Sequence, residues 1–491
     1  MNRPIRVMSI VCLMLFVALL LGVNYIQFVD ADTLNAKNGN RRVIDEQFAR
    51  ERGPILVGDR PIAESVPVDD VWKFQRRYPE GKLYSDITGY FSYTYGRSGL
   101  EQSQNSILSG SDNRLFVNRV VDLIGSNQPR GGSVSVTINR KAQRAAAEGL
   151  DGLPGDAKGA AVAIDPSTGA ILAMTGTPTY NPNVLASHKL IAVTEAWDRL
   201  NADEDQPMLN RSTQQTLPPG STFKIVTAAA AMENLDLTPS SKVKGGSALS
   251  APGFGSYQLV NQGGGNCGGK NITLTQALEV SCNVTFGDLS MKVGQAAMQA
   301  QADAFGFGTR PIEQVASNPS QFTGDPDAEL DPPQLAQSGI GQFEVSATPL
   351  QMAMATGAIA NGGALMKPYL VSTVRSPDLK TIETAKPEKI RDAISGGTAA
   401  GLSQMMVDVV DNGTGSSAAI SGVEVGGKTG TAQSTSDRPP YAWFVSFAPA
   451  DDPKVAVAVV VESSSTGRDD ISGGRLAGPI ARSVMEAVIG R

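Results

Sequence analysis

The residues best suited to chemistry begin at Pro218-Pro-Gly-Ser-Thr-Phe-Lys224. Two prolines and Gly220 make a sharp entry, so Ser221 stands at the start of a helix. A helix brings positions i and i+3 together, which places the Ser221 hydroxyl and the Lys224 amine on one face. The free N–H groups and positive dipole end of the first turn favour negative charge developing there. Nucleophile and proton acceptor are thus at contact spacing. An isolated Ser-x-x-Lys is more often a helix cap beside a solvated lysine, so the pair carries weight only in company.

Two further segments supply it. Ser281-Cys282-Asn283 follows a helical pattern over Thr273 to Val280 and offers a hydroxyl and an amide, suited to relaying a proton and holding a substrate amide. Lys428-Thr429-Gly430-Thr431 follows Gly426-Gly427 and precedes the strand-like run around Trp443. It reads as an edge strand carrying a cation, two hydroxyls and exposed backbone donors, with Gly430 allowing a ligand close to that backbone. For Lys224 to accept a proton near neutrality its pKa must fall well below the ordinary lysine value. Burial and a second cation, Lys428, would lower it.

Composition removes competing chemistries. The 491-residue chain has one histidine, His188, and three cysteines. A Ser-His-Asp site would have to use His188, which lies in a polar stretch after a Pro-rich segment, and zinc proteases need at least two histidines at fixed spacing. Neither a metal nor a cofactor is called for. A formal net charge of −6 gives no basic surface for nucleic acid phosphates. Cys12 lies inside an apolar run, which leaves Cys267 and Cys282 as either an extracytoplasmic disulfide or two buried thiols.

These motifs need a scaffold and a compartment. Val7 to Val23 is apolar apart from Ser9, and with Tyr25, Ile26 and Phe28 it reaches roughly the 20 residues that cross a bilayer. Arg3 and Arg6 precede it, and Asp30 and Asp32 follow, so the positive-inside bias puts the N-terminus in the cytoplasm and the rest outside. Val29-Asp30-Ala31 is a poor cleavage site, which favours a retained anchor. No other stretch is long and apolar enough to span. From Thr33 to about Gly155 short strand-like runs alternate with turns such as Arg52-Gly53-Pro54, an irregular, extended region. Ala160–Ile164 and Ala170–Met174 then form a strand-turn-strand pattern around Asp165-Pro-Ser-Thr-Gly169. Phe223–Met232 and Pro349–Ala360 read as helices, Ala442–Ala448 and Val455–Val461 as strands, and Leu476–Ile489 as a closing helix. Strands at both ends of a domain with helices between them imply one antiparallel sheet built from distant segments, a mixed α/β body.

The trio of motifs, in this order, resembles that of β-lactamases and penicillin-binding proteins. The likeness extends to Gly159-Ala-Ala-Val-Ala-Ile-Asp-Pro-Ser-Thr-Gly169, Gly339-Ile-Gly-Gln342, Thr348-Pro-Leu-Gln-Met-Ala353 and Ala442-Trp-Phe-Val445. These are similar to the transpeptidase domain of class B penicillin-binding proteins, and Arg52-Gly53 with Gly99-Leu-Glu101 resembles that family's N-terminal pedestal. Phe343 stands where a glycine is frequent.

The resemblance implies a penicillin-binding fold, with an antiparallel sheet flanked by helices and an all-α part, on an irregular α+β pedestal with one transmembrane helix. The expected organisation is a cytoplasmic N-terminus over 1–6, an anchor over 7–29, a dimerisation-like pedestal over 30–155 and the transpeptidase domain over 156–491. It implies a D,D-transpeptidase acting on peptidoglycan stem peptides and acylated by β-lactams, in division or shape, beside a glycan polymerase or divisome membrane proteins. Ser221 would attack, Lys224 take the proton, and Ser281 with Lys428 pass it to the departing D-Ala. The N–H groups of Ser221 and Thr431 would form the oxyanion hole. Asn283 would hold the peptide amide, and Thr429 and Thr431 the terminal carboxylate. A serine β-lactamase, a D,D-carboxypeptidase, and a non-catalytic divisome scaffold or β-lactam sensor are the competing readings. Glu313-Gln-Val-Ala-Ser-Asn318 has the wrong spacing for a class A lactamase deacylation segment.

Overall fold

The computed structural model describes residues 3–30, 33–34, 45, 47–115, 130–325, 328–433 and 439–491. Ala31 and Asp32, which entered the reading of the anchor's exit side, lie outside these, as do 35–44 and 116–129 of the N-terminal region. A helix over Arg3–Val29 is long and apolar enough to cross a bilayer, and no part of it is buried against the rest of the chain. Cys12 is exposed on it.

The catalytic body is organised on a five-stranded antiparallel sheet. Its order is Gly426–Ala432, Tyr441–Ala448, Val455–Ser463, Lys158–Ile164, Ile171–Thr177, so the first and last thirds of the domain meet at its centre. The run Val455 to Val461 in the central strand is apolar on every residue because both faces are covered. In the strand Val455–Ser463, Val455, Val457 and Val459 pack with Ala146, Ile480 and Val484 of helices Arg140–Asp151 and Gly478–Ile489. The alternate residues Ala456, Ala458 and Val460 join the opposite core with Met352, Ala355 and Ile359 of helix Pro349–Ala360. The two-residue period of a strand divides one run between two cores. Helix Lys224–Asn234 is apolar between its polar ends except for Thr227, whose hydroxyl donates to Gly339 O, and its first nine residues are buried.

The N-terminal region departs from the irregular, extended expectation. It contains a six-stranded sheet in the order Thr381–Thr384, Val371–Arg375, Ser133–Val136, Ile55–Val57, Arg60–Pro67, Phe74–Arg77. Two of these strands come from the C-terminal half, and their long-range pairing has no local sequence signature. Beneath them Glu101, fully buried, accepts from Arg52 Nε and Arg76 Nε, each at 2.6 Å, and from the Tyr78 hydroxyl at 3.1 Å. Ile55, Ile107 and Leu108 share one continuous core with Phe223 and Val226 of the catalytic body. Packing also changes partner before residue 155. Ser133–Val136 joins the N-terminal sheet, whereas helix Arg140–Asp151 seats Ala142, Ala146 and Leu150 on the catalytic sheet.

Candidate active site

The site lies where the nucleophile helix, a short loop and the edge strand meet. Gly220–Phe223 forms a 3-10 turn that leads directly into helix Lys224–Asn234. Gly220 has φ +53°, and a side chain there would lie 2.9 Å from Ala432 Cβ, so the turn can nest against the edge strand only with glycine. Gly220 N donates to Gly341 O at 2.9 Å, which explains why Gly339-Ile-Gly-Gln342 stands out in the sequence. Ser221 is half-buried and opens onto a cleft of about 380 Å³ that it shares with Ser281, Thr429 and Thr431. A larger cleft of about 530 Å³, lined by Ser103, Arg114, Arg310, Lys367 and Glu383 among others, holds none of the three motifs.

Lys224 is fully buried. Its Nζ donates to Ser281 O at 2.7 Å, Ser281 Oγ at 3.2 Å and Asn283 Oδ1 at 2.6 Å, and not to Ser221. Burial, and then the charge of Lys428, push its pKa well below the ordinary lysine value. Lys428, also fully buried, donates to Ser281 Oγ at 2.9 Å and to its neighbour's carbonyl, Thr429 O, at 2.9 Å. Burial brings Lys428 down to about 7. One serine hydroxyl therefore receives hydrogen bonds from two lysines. Ser281 occupies the left-handed region at φ +58°, which turns both its carbonyl and its hydroxyl toward Lys224.

Asn283 opens helix Asn283–Val293. Its side chain is spoken for on both ends: Oδ1 accepts from Lys224, and Nδ2 donates to Val260 O at 2.8 Å. One N–H remains for a ligand. Thr429 and Thr431 line the cleft from the edge strand. Gly430 plays a different part from the one expected. A side chain there would meet Thr222 Cγ2 at 2.9 Å and Pro219 O at 3.0 Å, so the glycine seats the strand on the nucleophile turn and its Cβ direction faces protein. Cys267 and Cys282 are joined by a disulfide across 15 residues, tying the loop before Ser281 to the motif itself. His188 pairs with Asp70 at 2.5 Å and takes no part in the cleft.

Sequence reasoning passed over Asn261, Gln262, Thr414 and Ser472-Gly-Gly474, all of which line the cleft. Asn261 Oδ1 accepts from Asn283 N at 2.9 Å and Val284 N at 3.2 Å, while its Nδ2 donates to Gly246 O and Gly265 O, each at 2.7 Å. Only the glycines around Thr414 and Ser472 signalled that the chain turns tightly there.

A family model for the penicillin-binding protein transpeptidase domain matches residues 159–486, and one for the penicillin-binding protein A dimerisation domain matches 52–134. The chain belongs to the class B penicillin-binding proteins. It is 40% identical over 494 residues to the peptidoglycan D,D-transpeptidase PbpA of Mycolicibacterium smegmatis, spanning 100% of this chain and 99% of that one. It is 39% identical over 495 residues to the PbpA of Mycobacterium tuberculosis, with the same coverage. Among solved structures, penicillin-binding protein A from M. tuberculosis as its ceftriaxone acyl-enzyme superposes with a TM-score of 0.85 at 39% identity, over 91% of this chain and 100% of that one. Its penicillin G acyl-enzyme gives 0.82 at 39%, over 90% and 100%. The family likeness read from the motifs thus extends to penicillin-binding protein A in particular.

Proposed function

We propose that this chain is a peptidoglycan D,D-transpeptidase that cross-links stem peptides through an acyl-enzyme on Ser221 and is acylated there by β-lactams. The observation that carries the reading is the placement of two fully buried lysines on one hydroxyl, Ser281 Oγ, in the cleft onto which Ser221 opens. Ser221 Oγ attacks the carbonyl of the penultimate D-Ala and its proton passes to Lys224. Lys224 starts the cycle bonded to Ser281 and Asn283, so it exchanges one of these partners for Ser221 as substrate enters. Lys428 and Ser281 deliver a proton to the departing D-Ala nitrogen, the C–N bond breaks, and an ester to Ser221 remains. An acceptor amine then attacks the ester carbonyl, gives up its proton along the same chain, and Ser221 Oγ leaves as the hydroxyl. Backbone N–H groups of Ser221 and Thr431 receive the oxyanion in both halves. Asn283 offers its remaining N–H to the stem peptide, and Thr429 and Thr431 offer hydroxyls to the terminal carboxylate.

The helix Arg3–Val29 anchors the chain in the cytoplasmic membrane, with Arg3 and Arg6 inside and the catalytic body outside, where glycan made by a polymerase in the same membrane reaches it. Labelling with a fluorescent penicillin tests the function. The parent should take a label that persists, and Ser221→Ala should take none. Rapid turnover of the label would point to a lactamase, and no label on the parent to a non-catalytic scaffold.

A further inference from the structure

Thr414 lines the cleft, yet the chemistry above gives it no task. It follows the helix Gly396–Asp411 in the turn Asn412-Gly-Thr-Gly415. Gly413 is required by close approach, since a side chain there would lie 2.7 Å from Glu279 O, and Gly415 sits in a tight spot where one would lie 3.1 Å from Val409 O. Gly415 N donates to Val409 O at 2.9 Å and Thr414 N to Glu279 O at 3.4 Å. From the facing rim, a side chain at Gly474 would come within 3.0 Å of Thr414 O. A turn held on three sides thus sets the Thr414 hydroxyl 2.7 Å from the Thr429 hydroxyl.

Two hydroxyls at that distance share one hydrogen and leave the other free, and either can be the donor. A carboxylate only accepts hydrogen bonds. Among the described residues no lysine or arginine side chain lines the cleft, so an anion there is met by hydroxyl and N–H donors. With an anion present, the arrangement that serves it has Thr414 donating to Thr429 and Thr429 donating to the anion. The first bond polarises the second. We propose that Thr414 is a positioning residue which commits Thr429 to donate to the terminal carboxylate of the acyl donor, and so sets the enzyme's preference for ligands that carry that carboxylate. This rests on the reading of Ser221 as the nucleophile and goes beyond it by assigning specificity to a residue outside the three motifs.

The test uses the full chain in detergent and measures the second-order rate of Ser221 acylation by benzylpenicillin and by its methyl ester. The parent, Thr414→Val and Thr414→Ser are compared. Valine keeps the shape and removes the donor. It should slow acylation by the free acid about tenfold and by the ester about threefold, because charge-assisted hydrogen bonds are roughly twice as strong as neutral ones. Serine should restore the parent ratio. Each ratio is taken within one protein, so a partly folded sample does not alter it. An acid-to-ester ratio left unchanged by valine overturns the proposal while leaving Ser221 as nucleophile. A serine variant with the valine variant's ratio overturns it too, since shape would then be responsible. A parent acylated by neither ligand overturns the nucleophile reading and this proposal with it.

Discussion

Asn261→Ala should both loosen the fold and slow acylation. Helix Asn283–Val293 begins after Cys282, whose sulfur is held in the disulfide and makes no cap. Asn261, 22 residues upstream of Asn283 in the chain, supplies the missing cap by accepting from the N–H groups of Asn283 and Val284. Losing an N-cap of this kind costs about 0.5–2 kcal/mol. The two bonds donated to Gly246 O and Gly265 O add about 1 kcal/mol each at most, and less for Gly265, which is exposed enough to rehydrate. The whole comes to about 2–3 kcal/mol, read as a shift in urea midpoint at constant slope. The activity loss should exceed what unfolding explains. Asn283 Oδ1 holds Lys224, so a frayed first turn also misplaces the base. Asn261→Asp keeps the acceptor and suits the helix N-terminus, but sets a charge against two carbonyls, so it should recover about half of the lost stability. An alanine variant within about 0.5 kcal/mol of the parent, acylated at the parent rate, would refute the reasoning.

Four other outcomes follow from buried charges. Acylation should fall on acidification and stop rising well below the lysine reference of 10.5, because burial and the charge of Lys428 hold the base Lys224 well below it; a rate still climbing toward pH 10 would contradict this. The same pair makes stability rise with pH toward 10.5, since the unfolded chain binds the protons the buried amines lack. Glu101→Gln should cost about 3–5 kcal/mol at neutral pH by leaving Arg52 and Arg76 unpaired in the interior, measured by urea unfolding. Burial pushes the Glu101 carboxyl up, but Arg76 and Arg52 outweigh it and hold it below its usual value of 4.5. Its contribution is therefore present above that value and lost as pH falls through the lower, folded one. Asp86 has the opposite sign: burial raises it to about 7 from 3.8, against the N–H of Gly176 and the charge of Arg211. Stability should fall as pH rises from 3.8 to 7. Asp86→Asn should remove that slope, gaining at most about 4 kcal/mol at pH 8 and nothing at pH 3.

Features carried by one chain segment were legible in the sequence. Pro349–Ala360 has the limits its pattern gives because Thr348 caps it and Pro349 starts it. The edge strand, the hairpin after it and the apolar helix Arg3–Val29 likewise follow from local pattern. The three motifs converge as their residue types suggest, but not all in the contacts expected, since Lys224 turns to Ser281 and Asn283 in preference to Ser221. Asn261 and Thr414 escaped notice because each acts through a partner distant in sequence: the cap crosses 22 residues and the hydroxyl pair 15. Strands Val371–Arg375 and Thr381–Thr384 escaped for the same reason, as nothing near them records that they complete an N-terminal sheet.

The site is costly to build, and the distribution of its supports shows where. Burying two lysine amines beside each other opposes folding, and Ser281 adds about 1–3 kcal/mol by holding a left-handed backbone without being glycine. A glycine would remove that strain. It would also remove the one hydroxyl that both lysines reach, so the serine stays where its backbone is least comfortable. The reinforcement then falls on either side of it: the disulfide at Cys282, the carboxamide of Asn261 beneath Asn283, and the Glu279 carbonyl that pins Thr414. Each of these fixes backbone and none is ionisable in the site, so the titration of the lysine pair is left to burial and, for Lys224, to the charge of Lys428. That division separates the groups that hold the geometry from those that move the proton. Of the former, Asn261 and Glu279 lie outside the motifs by which the chemistry is recognised, and Cys282 lies within one.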